Sequence, residues 1–113
     1  MQIVSGSIST DDLTKLAADL FGDMVKGVVD LEKGLLALDA ELHSELEAAL
    51  LINGSIQKNL WGINLYPGNT GDDYIEYDSM INVRPASGNR SRSVEDPAIR
   101  GRIRALVKTR TGR

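Results

Sequence analysis

The chain contains no cysteine, which excludes disulfides, thiolate metal sites and thiol nucleophiles and suits a reducing interior. Histidine occurs once, whereas a zinc-protease helix needs two at four-residue spacing, so that chemistry is not expected. Aromatic residues are few: one tryptophan, one phenylalanine and three tyrosines. Base-stacking platforms are correspondingly scarce, and nucleic acid is a poor fit as a partner. No apolar run approaches the roughly 18 residues of a membrane span, and the opening MQIVSGSIST lacks the basic and apolar regions of a secretory signal. A cytoplasmic protein with no membrane role is expected. The most uneven absence is arginine, which does not occur before Arg84 and occurs eight times from there on.

That split hides inside a modest net charge. Residues 1–83 hold 4 lysines against 14 acidic residues and residues 84–113 hold 8 arginines and 1 lysine against 2, so the formal −3 is the sum of −10 and +7. A basic segment on an acidic body implies an anion nearby, either a ligand, an acidic partner surface or the protein's own acidic helices. With 113 residues and 42% apolar composition the chain fits one domain, 1–113, that buries roughly two-thirds of its unfolded surface.

Periodicity predicts the order α-β-β-α-β-β-α. Ser9 and Thr10 precede Asp11 and Asp12 as a cap and an acidic first turn, and Leu13, Leu16, Ala17, Leu20 and Met24 follow at helical spacing, up to Gly22 as the stop. VVDL and LLALDA read as a hairpin turned at Glu32, Lys33 and Gly34. A second helix is expected from Asp39, as its cap, to Leu51, with Asn53 and Gly54 ending it. NLWGINLY and YIEYDSMINVR both alternate with period two around the loop PGNTGDD, which predicts a second hairpin. Asp96 and Pro97 open the last helix as cap and first residue, with Ile99, Ile103, Leu106 and Val107 as its buried stripe and residues 107–113 as a frayed tail. The expected architecture is a two-layer α+β domain: a four-stranded, mainly antiparallel sheet from two hairpins, with helices over one face.

Three groups of residues carry possible chemistry. In ELHSELE, His43 and Glu47 share a helix face and offer two ligands or a base with its carboxylate; two ligands do not make a metal site, and a solvated acidic helix start explains the same residues, so no metal or cofactor is expected. On the outward face of the second hairpin, Asn64, Tyr66, Glu76, Asp78, Asn82 and Arg84 come together; Glu76 or Asp78 could serve in acid-base work, with His43 nearby, or the face could be solvated or paired with a second copy. In GNRSR, Asn89 can close a turn while Arg90 and Arg92 offer forked donors matched to phosphate or carboxylate, or dock the loop onto the chain's own acids.

LWGINLYP and DSMINVRPASGNRSRSVEDP, with ALDAELHSELEAALL, resemble the shared core of a family of short bacterial and archaeal proteins known only as a domain of unknown function. The resemblance runs from the first helix through Val107, leaves TRTGR outside, and implies no activity or catalytic residue. The expected function is therefore a non-enzymatic binding module, a homodimer, that engages an anionic group or acidic partner through Arg84, Asn89, Arg90 and Arg92, with Asn64, Tyr66 and Asn82 beside them. The alternative is a small enzyme acting on a phosphorylated or other small substrate at the polar sheet face through His43, Glu76 or Asp78.

Overall fold

The computed structural model describes residues 1–113. Helix α1 spans Thr10–Leu20; the Ser9 hydroxyl accepts from the Asp12 N–H, the acidic first turn complements the helix dipole, and Leu13 and Ala17 are buried. Strands β2 (Val25–Asp30) and β3 (Leu35–Leu38) form the first hairpin. Its turn is held by buried Asp30, whose Oδ1 accepts from the Glu32 and Lys33 N–H groups and whose Oδ2 accepts from the Ser55 hydroxyl. Helix α2 spans His43–Ile52 and strand β4 spans Leu60–Leu65. Strand β5 is two residues, Ile75–Glu76, and α3 spans Pro97–Thr111 with Asp96 as its side-chain cap. None of these helices is long and apolar enough to cross a membrane.

The sheet has five strands, not four. A segment unassigned from its sequence, Gln2–Val4, forms β1 and pairs antiparallel with β3, and the full order is β1-β3-β2-β4-β5, antiparallel throughout. Three residues are too few to show an alternation, and their pairing is visible only once β3 is in place.

The layering also differs from the expected two. α1 and α3 cover one face, where Leu13, Ala17, Ile103 and Val107 pack with Val29, Leu36, Trp61 and Ile63. α2 covers the opposite face, where Leu46 and Leu50 meet Val28, Ala37 and Leu60. Every residue of β4 is consequently buried, and the side expected to lie open in solvent is largely roofed.

Two boundaries move. The cap of α2 lies three residues later than expected, at Leu42, because Asp39 adopts a left-handed backbone, φ +74°, that no helix continues through. α3 is longer: it runs through buried Thr111, whose hydroxyl accepts from the Tyr74 hydroxyl at 2.9 Å, and Arg113 beyond it donates to the carbonyls of Pro67 and Asn69. These bonds tie residues 111 and 113 to the segment between β4 and β5.

Candidate functional site

The run YIEYDSMINVR alternates like a strand, yet the chain leaves the sheet after Glu76. Ser79 instead crosses over Gly62 of β4, and Met80–Asn82 coil into a 3₁₀ turn. Side chains then take the place of the missing strand on the β4 edge. The Asn82 carboxamide accepts from the Gly62 N–H at 2.8 Å and donates to the Gly62 carbonyl at 2.9 Å, as a paired strand residue would. Arg84 donates through Nη2 to the Leu60 carbonyl and through Nε to that of Ile81. Its guanidinium lies over the Trp61 ring, 4.6 Å from the centroid.

The GNRSR loop is closed on itself. Asn89, 5% exposed, donates to the carbonyls of Asn82, Ser91 and Ser93, and its Oδ1 accepts from the Glu95 N–H. Glu95 returns the favour: its Oε2 accepts from the N–H groups of Arg90 and Ser91 and from the Ser91 hydroxyl. The bonds from Ser91 and Arg90 hold the exposed Glu95 carboxyl below the usual carboxylate range. The loop's backbone N–H groups thus already hold a carboxylate of the chain itself.

Arg92 pairs with Asp78 at 2.7 Å, in the single ion pair between two side chains. Arg100, Arg102, Arg110 and Arg113 donate to backbone carbonyls of loops and strand ends. Arginine suits this role because it carries five donors and no acceptor, and irregular segments leave carbonyls without partners. Arg92 is thus the one arginine paired with an acid, and most of the other guanidinium groups are spent on backbone carbonyls. Arg90 and Arg104 are the two arginines whose side chains bond to nothing.

A separate polar cluster forms under the start of α2. Cross-strand register sets Lys26, Asn64 and Glu76 side by side on β2, β4 and β5. Asn64 donates to Glu76 at 2.8 Å and to the Asp78 carbonyl at 3.2 Å, and the Tyr66 hydroxyl donates to the same Glu76 oxygen. Burial, followed by that hydrogen bond and the Glu76 charge, raises the Tyr66 pKa. His43, the first residue of α2, bonds through Nε2 to the Ile63 carbonyl at 2.8 Å, so Nε2 carries the proton of the neutral ring. Glu47 does not pair with it, and its charge acts on Arg84 instead. No three potential metal ligands converge anywhere in the fold.

Burial holds the His43 pKa below its ordinary 6.5, with Lys26 pushing the same way and the Ile63 bond, Asn64 and Asp78 opposing. Since the folded state then binds fewer protons than the unfolded one, stability is full above about pH 6.5 and declines as pH falls from there toward the depressed folded value. Urea unfolding of the parent chain and of His43→Gln across pH 7.5 to 5.5 should show a slope in the first that is reduced in the second. Parallel curves would remove His43 as its source.

Arg84 and Asn89 share a cleft of about 300 Å³ with Lys58, Trp61, Glu95 and Asp96. Arg90, Arg92, His43, Glu76 and Asp78 are not part of it. Asn82 and Asn89 have their amide donors and acceptors committed to backbone, and Asn64 and Tyr66 sit in the polar cluster on the other side of β4. Lys58, from the 3₁₀ turn Gln57–Asn59, was missed from the sequence because a lone lysine before a strand carries no signal; only the fold turns it toward Arg84.

No curated protein and no solved structure matches the chain. Residues 2–110 match a family described as a protein of unknown function, DUF5674, and with nearly the whole fold inside that match, from β1 through all but the last residue of α3, the chain belongs to this family.

Proposed function

We propose that this protein is a non-enzymatic binding module that takes a small ligand through an anionic group in the cleft between Lys58, Arg84 and the start of α3. One observation carries the reading: the Arg84 guanidinium is half-buried against Trp61 and has no carboxylate within ion-pairing distance. Burial without such a partner depresses its pKa, with the more distant Glu47 charge opposing. A phosphate or carboxylate placed there meets Nη1, the nitrogen that the Ile81 and Leu60 carbonyls leave free on a partly desolvated guanidinium, with Lys58 as a second cation at the rim. Glu95 and Asp96 line the same cleft, so the ligand best suited to it also bears hydroxyl or amine donors away from its anionic end. Arg90 and Arg92 have no part in this site, which narrows the contribution of the loop to Arg84 and the frame built by Asn89.

Trp61 is the chain's one tryptophan and lies under Arg84, so its emission reports directly on the cleft. Titration with sodium phosphate and with sodium glutamate should give a saturable change for at least one of them, weakened about tenfold in Lys58→Ala with little change in melting temperature, since Lys58 is exposed. A response that follows chloride at matched ionic strength, without saturation, would sink the proposal.

The second reading, a small enzyme acting at the polar sheet face, draws on the link that Asn64 makes between Glu76 and the neighbourhood of His43. It is the weaker one because Nε2 of His43 is spent on a backbone carbonyl and the Arg84 cleft contains neither His43 nor its carboxylates.

A further inference from the structure

α3 carries Arg100, Arg104 and Lys108 at four-residue spacing, so the three stand on one side of the helix, each about 6 Å further along its axis. That side faces the 3₁₀ turn Gly71–Asp73, and between them lie two adjoining clefts of about 400 and 390 Å³ that share Gly71, Asp72, Ile75 and Arg104. The ends of this trough are fastened. Arg100 stacks over Tyr77 and donates to Val94 and Ser93, and Arg113 stacks over Tyr74 and donates to Pro67 and Asn69. Arg104 and Lys108, in the middle, bond to nothing and pair with no acid, although Asp72 forms part of the same lining. The Nε of Arg113 is buried without any hydrogen-bond partner.

Complementarity to the helix dipole accounts for a cation in the last turn such as Lys108, but not for Arg104 in the middle of α3. Four cations gathered around one carboxylate repel one another, and a bound polyanion offsets that repulsion. The backbone also leaves the trough open: Gly71, with φ +61°, has no atom within 4 Å of where a side chain would begin. Clefts of this volume suit a small molecule, and the step along the helix is comparable to the separation of the terminal groups of a triphosphate.

We propose that the trough between α3 and the Gly71–Asp73 turn is a binding site for a small molecule bearing two or more phosphoryl groups, held by Arg104 and Lys108 between the fixed guanidinium groups of Arg100 and Arg113. The site is separate from the Arg84 cleft, with which it shares no residue.

Calorimetric titration of the full chain with sodium tripolyphosphate at low ionic strength should show saturable one-to-one binding. Arg104→Gln and Lys108→Gln should each weaken it at least tenfold, and Arg104→Lys should retain most of it. Both residues are exposed and unpartnered, so the ligand-free melting temperatures of these variants should match the parent. Trp61 emission should stay constant during this titration, which separates the result from the Arg84 cleft. Absence of saturable binding, or equal affinity in all variants, overturns the site. Tighter binding of a single-stranded oligonucleotide at equal phosphate concentration, lost in the same variants, overturns the small-ligand assignment in favour of a nucleic-acid surface.

Discussion

Asn82→Ala is expected to lower the unfolding free energy by about 3–5 kcal/mol, a large fraction of what a domain of this size has. Asn82 is fully buried, and its side chain is the only partner given to the outer edge of Gly62; it also donates to the Arg92 carbonyl at 3.1 Å. Truncation leaves the buried Gly62 N–H and carbonyl without partners, each worth about 1–3 kcal/mol of lost solvation, and empties the space of a buried side chain, while the Arg92 carbonyl keeps its bond from the Ser79 N–H. Asn82→Asp is the informative companion. It keeps the acceptor for the Gly62 N–H and loses both donors, so it should still be strongly destabilised. Urea denaturation measures both, and a loss below about 1 kcal/mol for the alanine variant would show that water or another strand replaces the amide.

Gly62→Ala should cost about 3 kcal/mol by overpacking. A methyl group there would sit 2.4 Å from Ser79 Cβ and 2.5 Å from its Oγ, and Gly62 has no left-handed backbone that would add strain of its own. Ser79 cannot retreat freely: it is fully buried, its N–H donates to the Arg92 carbonyl, and its hydroxyl accepts from the Ile81 N–H. The clash therefore has a specific partner, and Ser79→Gly should relieve it. In a double-mutant cycle the two substitutions should couple by at least about 1 kcal/mol, the double variant being more stable than the sum of the singles. Simple additivity would mean that Gly62 is required for another reason.

These two residues explain why the words LWGIN and INVRP belong together. They are complementary parts of one packing solution, in which a side chain stands in for a strand and a glycine makes room for the crossing segment. Asn82, read on the polar sheet face, and Asn89, read in the GNRSR loop, both spend their amides on backbone. The sequence does not separate that role from ligand binding, because the same donors and acceptors serve a ligand or a backbone equally well. The face itself was misjudged for a related reason. Alternation around Asn64 and Tyr66 predicts one solvated side, whereas the consecutive apolar pairs in VVDL and LLAL carry the opposite message, a sheet covered on both faces, and the covering helix α2 decides between them. The second strand of that hairpin pairs with β4 only over Ile75–Glu76, because alternation over residues 74–84 is compatible with pairing without requiring it, and Gly62 offers closer packing to Ser79 than a strand alongside could use.

By itself the sequence determined the local elements whose causes are local: α1 from its Ser9 cap and acidic first turn, the β2–β3 hairpin from its glycine turn, α3 from Asp96 and Pro97, and the onset of guanidinium chemistry at Arg84. Each depends on neighbours within a few residues, where propensity and capping act. The tertiary structure alone decided the fifth strand, the third layer, and what the arginines do. Those outcomes depend on which unsatisfied carbonyls and apolar faces come within reach of each other along the chain, across 24 positions in the bond from Arg84 to Leu60 and 104 in the bond from Arg110 to Gly6. Periodicity in one segment holds no information about a partner it has yet to meet.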